Sequence, residues 1–220
     1  MLVRFLLGMA AAPLAAQSLG DVLVKMDQAA SAFRGLSASV RRVAHTHVIN
    51  EDSVESGTML VKRSKGGDLR MLIELRDPDP RTLAFRGRKL EVFYPKILTV
   101  QEFDAGGNRR LEQFFLLGFA TTRGELEREY AIRLPAVTGG VAHVELTPKS
   151  QRSAEQIKKV ELWITMAIGY PAQQKFHQSG GDYNVVSYTD LKINPELADD
   201  TLKLKLPPGV KREHPQKGQP

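Results

Sequence analysis

Few side chains in this sequence are placed to do chemistry. His45 and His47 stand two apart in "RRVAHTHVI", a spacing that puts both on one face of a strand and offers half of a metal site. No third ligand lies near them in sequence, so two polar surface histidines are the simpler reading. His143 sits in "AHVEL", where a strand residue satisfied by its neighbours is expected, and His177 and His214 lie in polar surroundings. Two acidic pairs, Asp77/Asp79 in "RDPDPR" and Asp199/Asp200 in "LADDT", have the look of carboxylate dyads. Both fall in turn-forming sequence, where Asp beside Pro is ordinary. The chain has no G-x-S-x-G, no H-E-x-x-H, no phosphate-cradling glycine loop and no dinucleotide fingerprint. With no cysteine anywhere, disulfides, thiolate metal sites and cysteine nucleophiles drop out. These observations point away from an enzyme and call for neither metal nor cofactor.

What the sequence concentrates instead is apolar surface. In "LEQFFLLGF", residues 111–119, six of nine side chains are large and apolar, and three of the nine phenylalanines of the chain are here. Read as a helix or as a strand, the segment has no polar face, so it must be covered on more than one side. Trp163, the single tryptophan, is either core or the wall of a cavity.

The elements around that segment follow from periodicity. Leu19, Val22, Leu23, Met26, Ala30 and Phe33 recur at three- and four-residue steps and predict an amphipathic helix ending near Gly35. Beyond it the period becomes two. "LSASVRRVAHTHVI", "SGTMLVKR", "DLRMLIELR", "TLAFRG", "KLEVFYP" and "ILTVQEF" read as strands joined by tight turns. Thr121 to Tyr130 reads as a second short helix, after which "YAIRLP", "VAHVELTP", "IKKVELWITM", "YPAQQKFHQ" and "DYNVVSYTDLKIN" are strands again. "LADDTLKLKLPPGV" makes the last element. Ten or eleven strands in one antiparallel sheet, with an N-terminal helix and an apolar insertion, give a mainly β chain with helices (α+β). A sheet of that size curls, and helices would cover its concave face.

The first residues, "MLVRFLLGMAAAPLAAQS", place Arg4 before an uncharged apolar run too short to span a bilayer. Residues 1–16 are therefore expected to be a signal peptide, residues 17–210 one domain and residues 211–220 a disordered tail. A released chain in the periplasm is the expected compartment. The formal charge of +6 suits contact with acidic partners or headgroups, but the basic residues are scattered rather than striped, which argues against nucleic acid.

Several short segments, in order and at the right spacing, resemble the periplasmic outer-membrane lipoprotein carriers, the LolA-like family. These are "SGTMLVKR", "LAFRGRKLEVFYP", "EQFFLLGFATTRGELEREYAI", "VELWI", "PAQQKF", "KIN" and "LKLKLPPGV". The resemblance implies a strongly curved antiparallel sheet forming an incomplete β-barrel, lidded by the N-terminal helix and the mid-chain helical insertion. It implies a monomer, not an enzyme, that shields the acyl chains of a lipoprotein or lipid and makes transient contact with an inner-membrane donor and an outer-membrane acceptor. Carried onto this chain, it makes Met59, Val61, Met71, Ile73, Phe85, Phe93 and Trp163 the expected cavity lining and Phe114, Phe115, Leu117 and Phe119 the lid. Arg63 in "VKRS" matches the arginine that latches the lid, although Ser64 stands where proline commonly follows and "KGGD" lengthens the turn. Two other functions stay open: a periplasmic sensor or adaptor that binds a protein partner, and a carrier of a free envelope lipid.

Overall fold

The computed structural model describes residues 17–64, 69–104 and 115–215. Helix α1, Leu19–Ala32, starts at a capping box: the Ser18 hydroxyl accepts from the Asp21 amide while the Asp21 carboxylate accepts from the Ser18 amide. Its buried stripe, Val22, Leu23, Met26, Ala29 and Ala30, follows the expected helical spacing. The helix stops at Phe33, which is extended, and Asn194 secures the junction. The side-chain carbonyl of Asn194 accepts from the amides of Arg34 and Gly35, and its amide donates to the carbonyl of Ala32.

Twelve strands form one sheet: β1 (Gly35–Thr46), β2 (Glu51–Arg63), β3 (Leu69–Asp77), β4 (Arg81–Arg86), β5 (Lys89–Tyr94), β6 (Thr99–Asp104), β7 (Tyr130–Thr138), β8 (Val141–Pro148), β9 (Ile157–Thr165), β10 (Tyr170–Gln178), β11 (Tyr183–Ile193) and β12 (Lys211–Glu213). Across the sheet the order is β12-β6-β5-β4-β3-β2-β1-β11-β10-β9-β8-β7. All neighbours are antiparallel except β12, which lies parallel to β6. The sheet curves without closing, an incomplete barrel with helices on its concave face. Bulges at Ser37/Ser39 in β1 and Ser56/Gly57 in β2 bend the long central strands. Gly57 is needed there, because a Cβ at that position would stand 1.9 Å from the carbonyl oxygen of Glu74.

Alternation assigns the two faces. Leu36, Ala38 and Val40 of β1, Met59 and Val61 of β2, and Met71 and Ile73 of β3 point inward and join one core cluster with Phe33 and Phe85. Val144 and Leu146 of β8, Val160, Leu162 and Ile164 of β9, and Phe176 of β10 form a second cluster under α1. Helix α2 (Arg123–Glu129), close to the expected second short helix, adds Leu126 to it.

The chain departs from its sequence reading in three places. Gln151–Gln156 form a short helix, α3, capped by the Ser150 hydroxyl, where no element was expected. "LADDTLKLKLPPGV", expected to make one last element, does not form a single one. It contributes a 3-10 turn at Asp199–Leu202 and an extended strap over the convex face, where Leu197, Leu202 and Leu204 pack on Leu60, Leu72 and Ala84. Lys62 and Arg70 tie the strap down through Asp199, at 2.6 and 2.7 Å. Finally, Lys211–Glu213, expected to be tail, form β12, and Arg212 crosses to Glu91 and Glu102 of the neighbouring strands.

Candidate functional site: an apolar cavity with a charged mouth

The part of the "LEQFFLLGF" segment within the described residues packs into the concavity. Leu116 and Phe119 pack in the first core cluster and Leu117 in the second, so residues 116–119 bridge the two halves of the sheet. Phe119 is fully buried, edge-on to Tyr188 at 5.1 Å and close to Phe33 and Tyr170 at 6.2 and 6.0 Å. Burying such a ring contributes about 1.5–3 kcal/mol. The turn that allows this passes through Gly118, at φ +80°, where a side chain would also press on Leu162. Backbone amides of Phe119 and Ala120 both donate to the carbonyl of Leu116.

Beside this plug a cavity of about 340 Å³ remains. Its inner wall is apolar: Val40, Met59, Ile73, Leu75, Leu83, Val186 and the ring of Phe115. Toward the end of the sheet formed by the β1–β2 hairpin the lining becomes polar, with Arg42, Glu55, Arg81, Gln178 and Asn184. Glu55 bridges the two arginines, at 2.7 Å to Arg42 and 2.5 Å to Arg81, and Arg42 also donates to the side-chain carbonyl of Asn184. Burial pushes the Glu55 carboxyl up, but hydrogen bonds from Arg42 and Arg81, and their charge, outweigh it and hold the group below its ordinary value. Two guanidiniums against one carboxylate leave the mouth with an excess positive charge. The site is thus amphipathic, greasy inside and cationic at the opening.

A buried glutamine ties the plug to the sheet. Gln174, in β10, donates from Nε2 to the carbonyl of Leu117 at 2.5 Å and accepts at Oε1 from the Tyr188 hydroxyl at 2.7 Å. Burial holds the Tyr188 hydroxyl well above the usual tyrosine range, so it stays a donor.

Of the expected lining residues, Met59 and Ile73 border the cavity, while Val61, Met71 and Phe85 stand on the same inward face in the adjoining core. Phe93 and Trp163 do not join them. Phe93 pairs with Thr82 and Val100 on the convex side, its neighbour Val92 being the inward residue opposite Leu83. Trp163 also faces outward, stacked on His143 at 4.8 Å, because Leu162 and Ile164 take the inward positions. Phe115, Leu117 and Phe119 are in the plug, and Phe114 lies outside the described residues. Arg63 ends β2 in phase with Met59 and Val61, which directs it to the concave face, and its amide donates to the carbonyl of Arg34 at 2.7 Å. The sequence reading missed Gln174, Arg42, Glu55 and Arg81. A buried glutamine in "PAQQKF" and the separated charges of three strands carry no local signal.

Asp79 and both members of the Asp199/Asp200 pair are engaged in ion pairs rather than poised as dyads. Asp79 meets Lys96, Asp199 meets Lys62 and Arg70, and Asp200 meets Lys203. His45 is bonded to Asp52 at 2.7 Å and stacked on Tyr183, and the amide of His47 donates to Asp182.

No family model matches the chain, and no curated protein matches it in sequence. Solved structures do resemble it. MucB superposes with a TM-score of 0.55 at 12% identity over 84% of this chain and 62% of MucB. In the complex of Pseudomonas aeruginosa MucA and MucB the values are 0.50, 14%, 84% and 61%. The chain therefore spans about three fifths of MucB. An uncharacterised conserved protein from Thermus thermophilus gives 0.55 at 11% identity, over 90% of this chain and 99% of that one. The LolA superfamily protein NE2245 from Nitrosomonas europaea aligns over 86% and 99% of the two chains at 14% identity, with a TM-score of 0.41. At these identities the likeness is one of fold alone, a large curved antiparallel sheet that stays open and carries helices.

Proposed function

We propose that the protein is a periplasmic carrier that shields the acyl chains of a lipoprotein in the cavity under residues 115–119 and delivers them toward the outer membrane. The observation that carries this reading is the cavity itself: apolar within, open at a charged mouth, and walled on one side by a plug rather than by the sheet. Each acyl CH₂ taken out of water gains about 0.8 kcal/mol, so a long chain needs such shelter to cross an aqueous space. A wall that can move also lets the chain out again. Phe115, Leu117 and Phe119 are the side chains that would swing, Met59 and Ile73 the floor they uncover, and Val61, Met71 and Phe85 the surface beyond. Arg63 and Gln174 would set how readily the plug leaves. The excess positive charge at Arg42 and Arg81 suits an anionic group at the exposed end of the cargo, whether a lipoprotein or a free envelope lipid brings it.

An adaptor that binds a protein partner is the second reading. It is favoured by Val48 and Ile49, 88% and 61% exposed at the tip of the β1–β2 hairpin, and by the likeness to MucB, which has been solved with MucA. A fluorescent fatty-acyl probe separates the two. The carrier reading expects saturable uptake by the wild type and loss of uptake in a folded Phe115→Glu variant. Equal uptake by both, or none by either, would leave the cavity without a role.

A further inference from the structure

The convex face of β8, β9 and β10 gathers a cluster that the carrier reading does not use. His143 of β8 places Nε2 2.7 Å from Oε2 of Glu161 in β9, and His177 of β10 places Nε2 2.5 Å from the other oxygen, Oε1. Glu145 lies directly across the strand pair from Glu161. The donor atoms of His143, Glu145 and Glu161 all fall within 4.8 Å of one another. Two carboxylates facing each other across an antiparallel pair repel, and a cation between them offsets the repulsion. Here the ammonium of Lys159 takes that place, 3.2 Å from Glu145 and 3.3 Å from Glu161. The ring of His143 is held nearly parallel to Trp163, 4.8 Å away, and so keeps its edge toward Glu161.

We propose that His143, Glu145 and Glu161 form a binding site for a divalent transition metal, with His177 positioning the Glu161 carboxylate and Lys159 as the cation the metal displaces. One imidazole with two carboxylates suits zinc, copper or nickel better than magnesium or calcium, which prefer all-oxygen sets. Ligands on a tetrahedral zinc at about 2.0–2.2 Å stand roughly 3.3 Å apart, which small side-chain rotations reach from the separations here. His177, bonded to the far carboxylate oxygen, acts as the outer partner that such ligands characteristically have. Lys159 is half-exposed on a flexible stem and can swing into solvent.

Trp163 makes the site directly observable, since it is the only tryptophan of the chain and lies against the proposed ligand. Copper(II), a paramagnetic quencher, is titrated into the tag-free protein while tryptophan emission is followed, with zinc(II) as competitor. The expected result is saturable one-site quenching that zinc reverses. Glu145→Gln and Glu161→Gln should each weaken it by about tenfold or more. Lys159→Gln should tighten it, whereas an outlying ion pair would only be lost. His45→Ala tests a histidine–carboxylate pair elsewhere on the sheet, His45 with Asp52, and should leave the titration unchanged. If quenching is absent, or survives both Glu145→Gln and Glu161→Gln, or vanishes in His45→Ala, the assignment is overturned. Circular dichroism on each variant separates loss of the site from loss of the fold, and Lys159→Gln, which removes no ligand, keeps the test open should Glu161→Gln misfold.

Discussion

Replacing Gln174 by Met removes its hydrogen bond to the plug and its hydrogen bond to Tyr188 of β11 while keeping an unbranched chain of similar length. The carbonyl of Leu117 and the hydroxyl of Tyr188 are then left buried and unpaired. Each orphaned group costs about 1–3 kcal/mol, so the variant should lose roughly 2–6 kcal/mol in urea unfolding, less whatever the added apolar atoms recover. Tyr188→Phe removes only one of the two bonds and should cost less. The double variant is the sharper test, because its single effects share the Gln174–Tyr188 bond. It should be more stable than the two losses added together predict, by about 0.5–3 kcal/mol. Hydrogen exchange offers a local readout at the amides of Phe119 and Ala120, both bonded to Leu116, which should exchange faster in Gln174→Met. An acyl probe should also enter and leave that variant faster. If Gln174→Met unfolds within about 0.5 kcal/mol of the wild type and the cycle is additive, Gln174 is not the tie that the geometry makes it.

Other expectations follow from the same geometry. Phe119→Ala should destabilise by about 3–5 kcal/mol in chemical denaturation, since the ring is fully enclosed by three aromatic neighbours. Leu83→Trp should block the cavity while leaving a folded protein by circular dichroism. Displacing even two methylenes of an acyl probe costs about 1.6 kcal/mol, roughly a fifteenfold loss in affinity. For Glu55, whose carboxyl is held below its ordinary value of 4.5, the stabilisation is present above that value and is lost as pH falls below it. Glu55→Gln should therefore cost about 1.5–3 kcal/mol near neutral pH and flatten the acid limb of a stability–pH profile.

Where one face of an element was polar, its role was legible. The stripe of α1 and the alternation Leu36, Ala38, Val40 against Ser37, Ser39, Arg41 set helix and strand faces directly. Where both faces are covered, alternation loses its phase. "LEVFY" offers Val92 and Phe93, and "VELWI" offers Leu162 and Trp163, with nothing local to say which looks inward. Register with the neighbouring strands decides it, which is why Phe93 and Trp163 stand on the convex side. The strap was legible only as a last element: Leu202 and Leu204 alternate like a strand, yet they pack on the outer face beside Leu72 and Ala84. The charged mouth and the His143–Glu161–His177 cluster escaped notice because each is assembled from three strands, and pairs such as Arg42 with Glu55 become neighbours only through the fold.

Whether the cavity carries an acyl chain can be read by native mass spectrometry on the protein recovered from a periplasmic extract. A carrier should yield a co-purifying acylated species that is absent from the Leu83→Trp variant, with an acylated protein identifying lipoprotein cargo and a free lipid identifying lipid cargo. A protein that emerges unliganded, and that also takes up no acyl probe, would contradict the carrier reading and leave residues 115–119 as ordinary core.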